Sequence, residues 1–309
     1  MDEAIIRAIL AIARRADTVD TATLQSSFVG VGNIDLRLSS PDHQIIYGRR
    51  GTGKTHTLRY VVANPPEKGI PIFIDLRNIG SNGSIYGDAS QAFQQRATTL
   101  LLDFLGTLQD RLVDFFLKEP AVDLSVAGPL LDRLANSISA TKVEGSVAVT
   151  QQSAHSKESS SGASLDLARG PQLTLNTGRK SGNSEQTELK YEVAREAHVI
   201  FGDINAPLRE LSALIGGRKF LLLIDEWSDV PLDLQPFLAD LIRKVLLASG
   251  MILKIAAIEH RSRFVEFTTG GQYTGVQLGA DVMADISLDD FMVFENDEIR
   301  AVAFFKNLI

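Results

Sequence analysis

The amino-acid sequence predicts an α/β protein in which a largely parallel sheet of about five strands is covered by helices on both faces. Short apolar runs alternate with segments of helical periodicity in both halves of the chain. The run Phe220 to Ile224 is apolar throughout, as expected for a central parallel strand with both faces buried. A chain of 309 residues can also bury one large core, and it contains no cysteine, so the core has no disulfide support.

The N-terminal half contains the first strand–helix–strand unit. His43 to Tyr47 and Pro71 to Leu76 are predicted strands, and Thr55 to Asn64 is a predicted helix that ends before two prolines. A long amphipathic helix is expected from about Ser90 to Lys118, because its apolar residues recur at helical spacing. Residues 1–40 precede this unit as an N-terminal helix and lead-in.

The C-terminal half continues the alternation. Asp233 is expected to cap a helix from about Leu234 to Ala248, and Gly250 is expected to end it. Ile252 to Ile258 is a further predicted strand, and a weaker strand is expected around Val282 to Leu288.

The main domain is expected to span 41–296. One segment within this domain and one segment after it depart from the alternation of strands and helices. Residues 141–188 are rich in Ser, Gly, Gln, Asn and Thr, so they are predicted to be an insertion. Short β-hairpins within it are one interpretation, and a flexible surface loop is the simpler one. Residues 297–309 predict an amphipathic helix without a stop signal, and we expect it to begin a helical lid that continues past Ile309.

The composition excludes several classes of protein. Without cysteine there are no disulfides, thiolate nucleophiles or iron–sulfur clusters. The five histidines lack paired spacing, which argues against a metal held by protein side chains alone. No apolar run is long enough to span a bilayer and the first residues lack a secretory signal, so we expect a cytoplasmic protein. The net charge of -7 disfavours non-specific coating of nucleic acid.

The segment GRRGTGKT joins the first predicted strand to the first predicted helix and matches the pattern GxxxxGK[ST]. Its glycines permit positive φ, so backbone N–H groups can turn toward phosphate oxygens at a helix N-terminus. Lys54 is expected to contact the β- and γ-phosphates, and Thr55 is expected to bind Mg²⁺. The predicted nucleotide-binding residues are Gly48, Arg49, Arg50, Gly51, Thr52, Gly53, Lys54, Thr55 and His56.

An acidic pair follows the central strand. Asp225 comes at its C-terminal end, where parallel α/β sheets bind ligands, so its carboxylate is expected to reach the magnesium shell. Glu226 is the candidate general base that would activate water for attack on the γ-phosphate. Asp75, at the end of the second strand, competes for the role of acid but lacks an adjacent glutamate. With Lys54, this pair predicts hydrolysis rather than binding alone.

With both motifs in place, the chain resembles the AAA+ class of P-loop ATPases, and within it the prokaryotic ORC/Cdc6-like and STAND-type group. The resemblance covers roughly residue 44 to the end, without the insertion, and its third element is the strand ILKIAAI followed by EHRSR. It implies a γ-phosphate sensor after that strand, for which Arg261 is the first choice and Arg263 the second. AAA+ proteins commonly carry Asn, Ser or Thr at this sensor, whereas this sequence has Glu259 and His260.

The resemblance implies an ATP-hydrolysing switch or motor module with Mg²⁺, which forms oligomers or contacts a partner in DNA-associated work or in antiviral or stress signalling. ATP is favoured over GTP because no guanine-binding motif follows the acidic pair. The alternative is a nucleotide-dependent DNA-binding protein of the ORC/Cdc6 type. Its basic candidates are Arg49, Arg50, Arg243, Lys244, Arg261 and Arg263. A scaffold that binds ATP without turnover and a small-molecule kinase are weaker alternatives, because an adjacent Asp-Glu pair suits activation of water.

Overall fold

The computed structural model describes residues 23, 28, 34–79, 93–139, 142–147, 193–267, 270–291 and 302. The chain divides into two compact units, of which the main unit comprises residues 1–142 and 197–309 and the second unit residues 143–196. Of the predicted N-terminal segment 1–40, the structure describes residues 23, 28 and 34–40. Apart from the helical Val302, the helix predicted over 297–309 lies outside the described residues. None of the described helices is long and apolar enough to cross a membrane.

The described strands are β1 (Gln44–Tyr47), β2 (Gly69–Asp75), β3 (Lys142–Val147), β4 (Val193–His198), β5 (Lys219–Asp225), β6 (Ile252–Ala257), β7 (Val265–Phe267), β8 (Tyr273–Gly275) and β9 (Met283–Ser287). The described helices are α1 (Ile34–Leu38), α2 (Lys54–Ala63), α3 (Phe93–Lys118), α4 (Leu124–Ser139), α5 (Phe201–Ala213), α6 (Gln235–Leu246) and α7 (Leu288–Phe291).

The main unit is built on a five-stranded sheet in the order β2–β5–β6–β1–β9. Every neighbouring pair in this sheet is parallel. Parallel neighbours need crossover connections, which place helices on the faces of the sheet. The predicted α/β class with five parallel strands flanked by helices is therefore confirmed.

Side chains alternate between two apolar cores, one on each face of the sheet. In β1, Ile45 belongs to the larger core, which includes residues of α3, α4, α5 and α6, and Ile46 belongs to the smaller core, which includes residues of α1 and α2. In β5, Leu222 faces the larger core while Leu221 and Leu223 face the smaller one. This burial on both faces is why the strand is apolar throughout.

The predicted strands agree with the structure to within a few residues, but other elements were not predicted. Helices α4 and α5 contain Pro129 and Pro207, and an internal proline usually marks the end of a helix. The short strands β7 and β8, which pair antiparallel, carry no clear alternation of polarity.

The prediction that Asp233 caps α6 is wrong. Leu234 occupies the N-cap without a side-chain cap hydrogen bond. The Asp233 carboxylate instead accepts a hydrogen bond from Arg96 of α3 at 2.9 Å. A short hydrogen bond from a charged donor stabilises the carboxylate more than an exposed helix cap does. Asp233 therefore pairs with Arg96 instead of capping α6. Gly250 does end the following turn, as predicted, with a φ of 81°.

The second unit contains most of β3 and β4, which form a two-stranded sheet. It overlaps the predicted insertion over 141–188. Residues 148–192, and with them most of the predicted hairpin segments, lie outside the described residues.

Candidate functional site

Three predicted segments meet at the carboxyl edge of the main sheet. Because β6 lies between β1 and β5, the loop after β1, the acidic end of β5 and the segment after β6 are neighbours. The Gly48 N–H donates to the carbonyl of Ala257 at 3.2 Å, which joins the first loop to the end of β6. The sheet order thus brings together motifs that are far apart in sequence.

The loop between β1 and α2 has the conformation that its glycines were expected to permit. Gly51 and Gly53 have φ values of 87° and 88°, which side chains with a Cβ rarely adopt. Helix α2 begins at Lys54, and the Lys54 ammonium donates to the carbonyls of Gly48 and Arg49 at 2.8 Å each. The lysine charge is therefore held over the start of the loop, beside a helix N-terminus.

The charge of Lys54 is also coupled to the acidic pair. Burial lowers the pKa of Lys54, while the negative charges of Glu226, Asp225 and Asp289 act in the opposite direction. The structure thus places the cation of the first motif in the field of both carboxylates of the second.

Asp225 is buried at the end of β5, with 1% of its surface exposed. Its Oδ1 atom accepts the Glu226 N–H at 2.9 Å, and its Oδ2 atom has no hydrogen-bond partner among the described residues. Burial raises the pKa of this carboxyl, although the Thr55 hydroxyl and the Glu226 N–H act to lower it. A buried carboxylate oxygen with a free lone pair near a threonine hydroxyl fits Mg²⁺, which binds oxygen ligands.

No group of three or more histidine, aspartate or glutamate side chains in the described part of the chain could hold a metal ion by itself. A magnesium ion near Asp225 and Thr55 would accordingly take its other ligands from phosphate and water, as Mg²⁺ does in nucleotide sites.

Glu226 has a strained backbone. Its φ of 56° makes it the one non-glycine residue with positive φ in the described chain. Left-handed backbone at such a residue costs on the order of 1–3 kcal/mol and persists where its surroundings hold it. Burial, followed by the charge of Asp225, raises the pKa of Glu226, while Arg77 lowers it. A carboxylate of raised pKa is better suited to accept a proton near neutral pH.

Arg77, which was not predicted as a site residue, contacts two of the acids. Its guanidinium donates to both carboxylate oxygens of Asp75, at 2.6 and 3.0 Å, and its Nη1 lies 3.8 Å from the Glu226 carboxylate. Asp75 is the register partner of Asp225 in the β2–β5 pair. Asp75, the alternative candidate to Asp225, is thus paired with Arg77. The sequence signal for this pair was the short Asp-Leu-Arg spacing at the end of the second strand.

The predicted sensor segment lies at the end of β6. Glu259 to Arg261 form a 3₁₀ turn in which all three residues are exposed. Arg263 is exposed as well and donates to Glu266 at 3.3 Å. The segment lies between the other two motifs because β6 lies between β1 and β5, and the choice of Arg261 as sensor stays a prediction.

The remaining loop residues have protein partners. The Arg49 N–H donates to the Asp289 carboxylate at 3.2 Å, and the Arg50 guanidinium lies 4.0 Å from Asp229. The His56 ring packs edge-on against Phe28, with 5.5 Å between ring centroids.

No protein-family model, curated protein or solved structure matches the chain.

Proposed function

We propose that the protein binds ATP with Mg²⁺ at Gly48 to Thr55 and hydrolyses its terminal phosphate. The observation that carries the proposal is the buried Asp225, which lies near Thr55 and Lys54 and whose Oδ2 atom has no hydrogen-bond partner in the part of the chain that the structure describes. A buried carboxylate oxygen without a partner is costly, so its presence is best explained by a cation that binds there. The loop–helix junction and the acidic strand end also support a P-loop NTPase fold and the resemblance to AAA+ proteins.

Each side chain has a role that follows from its position. The Lys54 ammonium exchanges the carbonyls of Gly48 and Arg49 for phosphate oxygens. The bound Mg²⁺ supplies positive charge that stabilises the developing negative charge on the phosphates. Glu226 accepts a proton from the attacking water, and Arg77 holds the carboxylate end of Glu226 in place.

The test compares phosphate release and nucleotide binding in wild type, Lys54→Ala and Glu226→Gln, with ATP and with GTP. Lys54→Ala is expected to lose ATP binding. Glu226→Gln is expected to bind ATP while kcat falls by about 10²–10⁴-fold, the usual contribution of a general base. Matched controls are Lys219→Ala, at the opposite end of β5, and Glu210→Gln, an exposed residue of α5 that pairs with Arg133. ATPase activity that survives both site substitutions unchanged would refute the proposal.

Nucleotide-dependent assembly is the further part of this proposal, and it rests on the AAA+ resemblance. Light scattering of wild type and Glu226→Gln in ATP, ADP and no nucleotide measures it. We expect the largest species with Glu226→Gln in ATP, because that variant keeps the triphosphate bound. A mass that is the same in all conditions would contradict a switch between assembly states.

The structure gives no added support to the DNA-binding alternative. Of its six basic candidates, five lie within 4.0 Å of a carboxylate, which offsets their charge. These five are Arg49, Arg50, Arg243, Lys244 and Arg263.

A further inference from the structure

The segments that follow β5 and β6 are joined by a cluster of four buried side chains and the half-buried Ser262, which we call the Gln235 cluster (Trp227, Ser228, Gln235, Ser262 and Phe264). We infer that Gln235 is a positioning residue, which with Ser228 holds the turn after Glu226 against the segment after β6. The inference rests on the proposed function, since Glu226 is the group that is positioned.

Gln235 is the first residue of α6, and both the NH2 group and the oxygen of its side-chain amide form hydrogen bonds. It has no exposed surface. Its Nε2 donates to the carbonyls of Val230 at 2.8 Å and Arg261 at 3.2 Å, and its Oε1 accepts the Arg263 N–H at 2.6 Å. A primary amide has two donor hydrogens and one carbonyl oxygen, so these three bonds satisfy it. The Gln235 side chain thus links Val230, in the segment after β5, to Arg261 and Arg263, in the segment after β6.

Ser228 and Trp227 also connect the turn after β5 to the segment after β6. The Ser228 hydroxyl accepts the Ile258 N–H at 2.9 Å and hydrogen-bonds the Ser262 hydroxyl at 3.2 Å. The ring of Trp227 stacks on Phe264 with 4.9 Å between centroids and an interplanar angle of 15°. Three independent contacts therefore hold the two segments together, and we expect them to move as one body.

The connection matters because Glu226 is strained. The 3₁₀ turn Trp227–Asp229 follows it directly, and the Asp229 N–H donates to the Glu226 carbonyl at 3.0 Å. A left-handed backbone at a glutamate relaxes when its neighbours are free to move. If the turn shifts by about 1 Å, the carboxylate moves away from the attacking water, and such a displacement can cost on the order of 10²-fold in rate.

The experiment uses Gln235→Met, which keeps the length of the side chain but removes its hydrogen bonds, and Ser228→Ala. The control is Ser249→Ala, because Ser249 is a buried serine just after the other end of α6, and its hydroxyl donates to the Leu246 carbonyl, within the same helical segment. For Gln235→Met, kcat for ATP is expected to fall about tenfold or more while KM changes by less than about twofold, because the residue acts on Glu226 and not on the phosphate loop. Unchanged kcat, or an equal loss in the control, would overturn the inference.

Fluorescence provides a readout that does not depend on catalysis. Trp227 is the single tryptophan of the chain and is fully buried, so its quenching by acrylamide reports on the Gln235 cluster alone. We expect the quenching constant to rise at least about twofold in Gln235→Met and to stay at the wild-type value in Ser249→Ala, since only the first substitution frees the turn. Wild-type quenching in Gln235→Met would also overturn the inference.

The two readouts separate the failure of this inference from the failure of the proposed function. If wild type does not hydrolyse ATP, the proposed function fails, and quenching still decides whether the cluster holds the turn. If wild type hydrolyses ATP and Gln235→Met keeps its kcat, only the positioning role fails. If Gln235→Met does not unfold cooperatively, Ser228→Ala decides the question, because it removes a single hydroxyl, and the same kcat and quenching criteria apply to it.

Discussion

Replacing Asp225 by asparagine is predicted to stabilise the nucleotide-free protein while it abolishes magnesium-dependent hydrolysis. The Asp225 carboxylate is buried, and its Oδ2 atom has no hydrogen-bond partner among the described residues. Asparagine has nearly the same shape and keeps an oxygen for the Glu226 N–H, but it carries no charge. The variant therefore loses the penalty of a buried charge together with the proposed ligand for Mg²⁺.

The magnitude follows from the buried charge. A buried polar group that lacks a partner costs about 1–3 kcal/mol, and more when it is charged, whereas the amide introduced by Asp225→Asn is neutral and can donate to the Thr55 hydroxyl. The free energy of unfolding is therefore expected to rise by about 1–2 kcal/mol. In a domain of this size about 1 kcal/mol corresponds to about 2–4 °C, so Tm should rise by about 2–8 °C. Urea and thermal unfolding in EDTA, without nucleotide, measure both quantities. Phosphate release in Mg²⁺ measures the loss of activity.

The pH dependence of this effect has a defined sign. Because burial raises the pKa of Asp225 above its ordinary value, the native state binds more protons than the unfolded state at pH values between the two. The free-energy cost of burying the charged carboxylate is fully present above the pKa that Asp225 has in the native state. It disappears as the pH falls below the ordinary pKa of an aspartate. The stability difference between Asp225→Asn and wild type should thus be larger at about pH 8 than at about pH 5.

The control for this prediction is Asp123→Asn. Hydrogen bonds from Ser125 hold the pKa of the exposed Asp123 below its ordinary value, so this substitution should give no stabilisation. Our reasoning about Asp225 would be refuted if Asp225→Asn were less stable than wild type in EDTA at about pH 8, where the charge is fully present.

Three further substitutions test other parts of the site and its support. Arg77→Ala removes the positive charge that lowers the pKa of Glu226, so the acid limb of the kcat–pH profile should move to higher pH; an unshifted limb would count against Glu226 as the base. Gly48→Ala would place a Cβ atom against the Thr52 hydroxyl, which would displace the loop that is proposed to bind phosphate. Calorimetric titration should then show ATP affinity reduced about tenfold, and wild-type affinity would contradict this expectation. Lys254→Met leaves two carbonyls and a side-chain oxygen without their buried donor, so urea unfolding should show a loss of about 2–4 kcal/mol, and an equally stable variant would contradict this role.

The parts of the site that could be predicted are those with local signals. The loop between β1 and α2 depends on glycines that permit φ values near 87°, and these glycines are visible in the eight residues GRRGTGKT. The end of β5 was predictable because an apolar run followed by Asp225 reflects burial of both faces of one strand. The burial of Trp227 was predictable as well, because a tryptophan directly after an apolar strand usually packs in the core, and it is fully buried.

Other site residues depend on contacts that local patterns do not record. Arg77 reaches Glu226 because the β2–β5 register sets Asp75 beside Asp225, and that pairing joins residues about 150 positions apart. Gln235 is a polar residue at the start of an amphipathic helix, where exposure is the usual expectation. Its burial results from the segment after β6, whose Arg261 carbonyl and Arg263 N–H it binds.

The sequence by itself determined the α/β class, the glycine-rich loop from Gly48 to Thr55 and the acidic pair Asp225-Glu226, because side-chain periodicity and glycine conformation act within a few residues. Only the tertiary structure decided the order β2–β5–β6–β1–β9, the contact between Arg77 and Glu226 and the burial of Gln235. These depend on which strands pair and which helices cover them, and that choice is made by packing across the whole main unit. The loop and the acids are thus local features, and their proximity is a property of the sheet.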